Sequence, residues 1–129
     1  MQSATVSSGE IERRGWSEFL NDFTRRNANR PTRLEVIGLE TGSQELEKFL
    51  PLIGVSFEPE GSAAGSVEII LGGGSAKDPR RMEHIVLNAQ RIVPIIGPHV
   101  GFEDGIGIES EGGTRTLLTF EELRELPRQ

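Results

Sequence analysis

The first regular pattern along the chain is an amphipathic helix near the N-terminus. In GWSEFLNDFTRRNANRP, residues 15–31, apolar side chains recur at positions i, i+3, i+4 and i+7 of one helical face. Arg25 and Arg26 suit the negative end of the helix dipole, and Pro31 ends the run. We predict a helix that anchors in the core through Trp16, Phe19, Leu20 and Phe23.

After Pro31 the apolar period changes to two, as in strands with one buried face. The segments 32–40, 53–60 and 66–73 all alternate in this way. The second and third are joined by a loop rich in Gly, Ser and Ala, so we predict that they pair antiparallel. The predicted inward side chains are Leu34, Val36, Ile53, Val55, Phe57, Val67, Ile69 and Leu71.

The segment SQELEKFL, residues 43–50, interrupts the alternation. Leu46, Phe49 and Leu50 follow helical spacing, Ser43 is a possible N-cap, and Pro51 ends the run after barely two turns. We predict a short helix or a wound loop here.

Residues 82–95 allow two interpretations. A helical stripe is present, with Asp78 as N-cap and Pro79 at the first helical position. Many of the apolar residues are β-branched, however, and residues 88–90 can turn the chain between two strands. We favour two strands.

The C-terminal region predicts a β-hairpin with a defined register. Residues 111–113 form a three-residue loop in which a glycine supplies positive φ. A shift by one residue would lose a pair of opposite charges. The favoured register places Glu109 opposite Arg115, Ile108 opposite Thr116, and Ile106 opposite Leu118.

These elements predict an α+β fold, in which the N-terminal amphipathic helix packs on a mostly antiparallel, meander-like sheet or small barrel with a C-terminal hairpin. Residues 1–14 are rich in Ser, Thr and Glu, and we expect a disordered leader there. A single α+β domain is expected over 15–122, and a frayed tail over 123–129.

Composition removes several classes of protein. The 129 residues include no Cys, which excludes disulfides, thiolate nucleophiles and zinc sites built on Cys. No apolar run approaches the ~20 residues of a membrane-spanning helix, and the N-terminus has no signal-peptide core, so we expect a cytoplasmic protein. With 5% aromatic residues and no Tyr, few stacking platforms are available for nucleic acid.

The net charge of −6 is distributed in blocks. Six arginines stand against two acidic residues from Arg13 to Arg33, a balance of +4, whereas seven glutamates stand against Lys48 from Glu35 to Glu68, a balance of −6. The basic block could form a face for an anionic partner. We favour the alternative, that the blocks neutralise one another across the fold or between subunits.

The glycine cluster LGGGSAKDP, residues 71–79, is the most suggestive motif. A phosphate-binding P-loop requires GxxxxGK[ST] between a strand and a helix, but here Lys77 precedes Asp78. The spacing also fails the GxGxxG dinucleotide fingerprint. We therefore predict an inter-strand loop that needs no ligand, and no cofactor.

His84 and His99 are the two histidines, and their spacing forms no metal motif that we recognise. The sequence also has no GxSxG nucleophile elbow. We therefore assign no catalytic, cofactor-binding or metal-binding residue. His84 could act as an acid/base catalyst if it shared a cleft with Asp78 or Glu83.

Several segments together carry a resemblance. WxxFLxxF at 16–23, LEVIG at 34–38, LPLIGVSFEP at 50–59, VEIIL at 67–71, HIVLNAQRI at 84–92 and DGIGIESEGGTRTLLTF at 104–120 are present in this order. Residues 16–120 thereby resemble a family of small bacterial proteins known as a domain of unknown function. The resemblance implies a bacterial origin, one compact domain and strands within 82–95, and it implies no activity.

Two functions follow as hypotheses. The first is a noncatalytic cytoplasmic binding or assembly module, homo-oligomeric, whose antiparallel sheet or basic helix end contacts a protein partner. The second is a small enzyme that uses His84 with a nearby carboxylate. We expect neither a membrane nor a nucleic acid as partner.

Overall fold

The structure is a computed structural model, and it describes residues 9–73, 79–96 and 103–120. A 3-10 turn over Arg13–Gly15 leads into helix α1, Trp16–Asn27. Seven strands follow within these ranges: β1 Pro31–Gly38, β2 Gly42–Glu58, β3 Ser66–Gly72, β4 Arg81–Val86, β5 Ala89–Ile96, β6 Glu103–Ser110 and β7 Arg115–Phe120.

The strands form one antiparallel sheet in the order β4-β3-β2-β1-β7-β6-β5. The sheet does not close, because β4 and β5 lie at its opposite edges. The predicted α+β class and antiparallel sheet are confirmed, and the open sheet is found rather than the barrel.

Helix α1 packs on the sheet as its apolar stripe predicts. Trp16, Leu20 and Phe23 are completely or almost completely buried, and Phe19 packs at the side of the same core. The Trp16 ring meets the Phe57 ring edge to face at 4.9 Å between centroids. The helix therefore anchors the N-terminal segment to the sheet.

Strand β2 corrects one prediction, because residues 43–50 belong to a strand and the predicted short helix or wound loop is wrong. Against β1, Thr32 pairs with Leu50 and Arg33 pairs with Lys48, which leaves Phe49 as an extra residue. A second irregularity leaves Leu46 unpaired. These β-bulges break the two-residue period and imitate helical spacing.

The alternation predicted for residues 53–60 holds only in part. A third irregularity separates Leu52 from Gly54, so Ile53 is turned outward and is partly exposed. Val55 stays in the core, together with Val67, Ile69 and Leu71 of the antiparallel neighbour β3. That pairing confirms the predicted antiparallel arrangement.

The remaining strand predictions are confirmed. Residues 82–95 form β4 and β5 around a turn at Leu87 and Asn88, where Asn88 has φ +52°. In the β6–β7 hairpin the observed register is the favoured one, with Glu109 opposite Arg115 and Ile106 opposite Leu118. The Ser110 N–H donates to the Thr114 carbonyl at 2.9 Å and closes the three-residue loop.

The described residues of the predicted leader lie along the β5 edge. The Ile11 N–H donates to the Ile92 carbonyl at 2.9 Å. The Arg13 guanidinium stacks 4.7 Å from the Trp16 ring and donates to the Ala89 carbonyl at 3.1 Å. Residues 1–8 of the predicted leader and the predicted tail 123–129 lie outside the described residues.

Candidate functional site

The outer edge of β4 presents backbone groups that do not pair with β3. The Gly73 N–H donates to the Arg80 carbonyl at 2.9 Å, and the β3–β4 register continues this ladder through Leu71–Met82 and Ile69–His84. In an antiparallel ladder such hydrogen-bonded pairs alternate with pairs whose backbone groups point away. Residues 81, 83 and 85 therefore direct their N–H and C=O groups to the open edge.

Within the described ranges, β3 is the only strand that pairs with β4. The opposite edge of the sheet differs, because Ile11 and Arg13 hydrogen-bond to β5, and Pro94 lies within that strand. Natural proteins block edge strands with charges, prolines or covering segments. Here β5 carries a covering segment and a proline, whereas among the residues that the structure describes β4 has only the charges of Arg81 and Glu83 at its edge.

The side chains of β4 divide into two rows. Arg81, Glu83 and Ile85 form the exposed row, and the Arg81 Nε lies 3.3 Å from a Glu83 carboxylate oxygen. Met82, His84 and Val86 alternate with them on the face toward the core, where Met82 packs against the cluster. The exposed row is thus charged at its start and apolar at its end.

A cleft of about 500 Å³ adjoins the inner row of β4. Its walls come from β4, the turn after it, the β6–β7 hairpin and Val36 of β1. The Glu111 N–H donates to the Asn88 carbonyl at 3.0 Å and joins the hairpin tip to the β4–β5 turn. The cleft has the size of many ligand sites, and both polar and apolar side chains line it.

Exposed apolar side chains border this cleft. Ile85 and Leu87 line it and are 51% and 67% exposed. Leu39, 81% exposed, lies beside Gly113 of the hairpin, within 3.0 Å of where a Cβ would stand on that glycine. Exposed apolar side chains are found at interaction surfaces. Ile85 belongs both to β4 and to the lining of the cleft, so the open edge and the cleft meet there.

His84 is half-buried in the wall of the cleft, opposite Ile69 of β3. Burial lowers the pKa of His84 below its usual 6.5, because desolvation disfavours the charged imidazolium. The imidazole of His84 makes no side-chain hydrogen bond or ion pair with another described residue. The lowered pKa favours the neutral form of the imidazole.

The structure directs Glu83, one of the two carboxylates proposed to act with His84, away from the imidazole. Glu83 is adjacent in β4 and so points to the opposite face of the sheet. Asp78 and His99 lie outside the described residues. Glu111, which the sequence did not single out, lines the same cleft as His84. Across the described ranges, no group of three or more His, Asp or Glu side chains could hold a metal ion.

The glycine cluster connects two antiparallel strands. Gly72 ends β3, Gly73 hydrogen-bonds to Arg80, and the next described element is β4. No helix N-terminus follows the glycines within the described residues, so the strand-to-helix context of a P-loop is missing there. Ser75 and Lys77 lie outside the described residues.

Arginines of the basic segments lie beside carboxylates. Arg33 of β1 contacts Glu45 of β2 at 3.2 Å, and Arg91 of β5 contacts Glu109 of β6 at 3.5 Å. Arg80, which precedes β4, lies 3.8 Å from Glu47 of β2, so opposite charges from distant parts of the sequence meet in the fold. These pairs agree with neutralisation across the fold rather than with a basic face for an anionic partner.

Little in the sequence predicts the cleft beside β4. Val36, His84 and Thr116 come together from β1, β4 and β7, and only the strand order makes them neighbours. The one local signal was the apolar pair Ile85 and Leu87, which are both exposed. Because Ile85 stands among other β-branched apolar residues of β4, the sequence does not distinguish it from a buried position.

Comparison with known proteins identifies the family. The chain belongs to a family described as a family of unknown function (DUF5335), whose model matches residues 7–129. The expected resemblance to a domain of unknown function is confirmed, and the match extends beyond residues 16–120 at both ends. No curated protein and no solved structure matches the chain. None of the described helices is long and apolar enough to cross a membrane.

Proposed function

We propose that this member of a family of unknown function is a noncatalytic binding module, and that it accepts an extended polypeptide segment at the open edge of β4. The observation that carries the proposal is the backbone of residues 81, 83 and 85, whose N–H and C=O groups point away from β3. An added strand would satisfy these groups, as in other proteins that bind a peptide by extending a sheet.

The neighbouring cleft supports this function. In such complexes the backbone hydrogen bonds give affinity, and pockets for alternate side chains give specificity. A strand bound beside β4 would direct every second side chain toward the inner face, where the cleft opens between His84 and Glu111. Ile85 and Leu87 would lose solvent exposure in the same complex.

A display library of extended peptides, selected on the purified chain, tests the proposal. We expect selected peptides to protect the amides of residues 81, 83 and 85 from hydrogen exchange. Glu83→Pro removes an N–H that points away from β3, and it should weaken binding at least about tenfold. Glu83→Ala keeps the N–H and is the matched control. Equal binding by both variants, or protection elsewhere, would contradict the proposal.

Acid/base chemistry at His84 is a second candidate, favoured by one observation. His84 and Glu111 line the same cleft, as a histidine and a carboxylate of such an enzyme would. A carboxylate close enough to assist would raise the pKa of His84, whereas burial alone lowers it. Measurement of this pKa by NMR titration in the wild type and in Glu111→Gln tests the acid/base candidate, and a lowered pKa that Glu111→Gln leaves unchanged would contradict it.

A bacterial origin and a cytoplasmic location stay predictions from the sequence. Cell fractionation with an antibody to the chain would test the location. A binding module of this kind works in any compartment that holds its partner, so the proposal for β4 does not depend on the outcome.

A further inference from the structure

We infer that the segment accepted by β4 is β4 of a second copy of this chain, paired antiparallel so that Arg81 of each copy lies opposite Glu83 of the other. The inference rests on the function proposed above and names its partner. Two copies related by a two-fold axis would then share one continuous sheet.

The hydrogen-bonding phase of β4 limits the possible registers. Residues 81, 83 and 85 present backbone groups at the open edge, so they must face one another in a second copy. Registers in which at least two of these three residues pair with one another have their axes at residue 82, 83 or 84.

Charge complementarity selects one of the three. With the axis at Met82, Arg81 lies opposite Glu83 twice, and Met82 meets Met82 on the inner face. With the axis at Glu83, two like carboxylates lie opposite each other, and with the axis at His84 the carboxylate of Glu83 faces Ile85. Opposite-charge cross-strand pairs stabilise a sheet and like-charge pairs destabilise it.

The favoured register also has a natural end. It places Ile85 opposite Pro79, which has no N–H to donate, so the shared ladder stops there. Arg81 and Glu83 are both exposed and lie close together in one chain, with 3.3 Å between Nε and the carboxylate. Both side chains are therefore accessible and can form a cluster of four alternating charges in the dimer.

Charge-reversal variants test the register through sedimentation equilibrium from about 1 μM to 1 mM. We expect the wild type to dimerise with rising concentration, and Arg81→Glu or Glu83→Arg to raise the dissociation constant at least about tenfold. The double variant R81E/E83R restores opposite charges and should regain most of the lost affinity. Arg14→Glu makes the same charge change away from β4 and is the control, and thermal melts establish that every variant is folded.

The outcomes separate this inference from the proposed function. A monomer at every concentration that still binds library peptides in an E83P-sensitive manner would overturn the second copy as partner and leave the proposed function standing. A monomer that binds no such peptide would overturn both. A dimer insensitive to the reversals, or one that the double variant fails to restore, would overturn the register and with it the inference.

Discussion

The hydroxyl group of Thr24 makes two hydrogen bonds with the backbone of Val55. It accepts from the Val55 N–H at 3.0 Å and donates to the Val55 carbonyl at 3.2 Å. The pairing of β2 with β1 ends at Pro51, and the second half of β2 has β3 as its strand neighbour. A side chain of α1 thus occupies the place of a strand and joins the helix to the sheet.

Thr24→Val should therefore destabilise the fold by about 1–3 kcal/mol, because the isosteric side chain leaves the Val55 N–H and C=O without partners. Thr24→Ser keeps the hydroxyl and should lose much less. Urea denaturation of both variants gives the comparison. Equal stability of Thr24→Val and the wild type would contradict the prediction, because it would mean that solvent satisfies the Val55 N–H and C=O in the variant.

Gly105 should tolerate no side chain. Its φ is +154°, and a Cβ would stand 2.1 Å from the Leu118 carbonyl oxygen and 2.8 Å from the Thr119 Cα. Because both contacts are backbone atoms of β7, relief requires the two strands to separate. We expect Gly105→Ala to lose about 3 kcal/mol or more.

Gly112→Ala is the control for Gly105, since its φ of +92° imposes a similar conformational cost but no atom stands within 4 Å. It should lose only about 1 kcal/mol. Guanidinium unfolding of the two variants measures the difference. Equal losses would show that conformation, not crowding, makes glycine necessary at position 105.

Local patterns were sufficient for α1 and for the hairpin. The stripe of Trp16, Leu20 and Phe23 determines the buried face of the helix, and the Glu109–Arg115 pair selects the register of β6 and β7. Both features depend on residues close in the sequence, where periodicity and turn chemistry act directly.

The bulges of β2 and the order of the strands could not be predicted from the sequence. Leu46 and Phe49 each add a residue to β2, and the resulting spacing imitates a helix. The order of the strands depends on contacts between distant segments, so the union of Val36, His84 and Thr116 in one cleft has no local signature. The edge of β4 could be recognised only after β5 was found at the other end of the sheet.

Phe49 offers a test of stored strain. It has φ +67°, a conformation that costs about 1–2 kcal/mol in residues with a side chain and that Asn tolerates better. The ring is 45% exposed, so its packing contribution is limited. We expect Phe49→Asn to match the wild type or to be more stable by up to about 1 kcal/mol.

Ile53→Asn is the matched control, because Ile53 lies at another bulge of β2 without a positive φ and packs against Gly72. It should lose about 1 kcal/mol through lost apolar contact. Thermal melts of the two variants compare them. A loss of the same size at Phe49 would mean that its ring contributes more than its conformation costs.

His84 should make the stability of the fold depend on pH. Its pKa is lowered from 6.5 in the folded state by desolvation, so below pH 6.5 the unfolded chain binds a proton more readily than the folded one. The free energy of unfolding must then fall as the pH falls through 6.5 toward the folded-state pKa, and it is fully retained above 6.5.

His84→Gln isolates this contribution. Urea denaturation of wild type and variant at pH 7.5 and pH 5.5 gives four free energies, and the titrations of all other groups cancel in their double difference. We expect the wild type to lose more stability than the variant on acidification. The opposite sign would indicate a raised pKa, hence a carboxylate such as that of Glu111 within reach of the imidazole. In that case the acid/base hypothesis for the cleft would gain its first direct support, and Glu111→Gln should abolish the reversed sign.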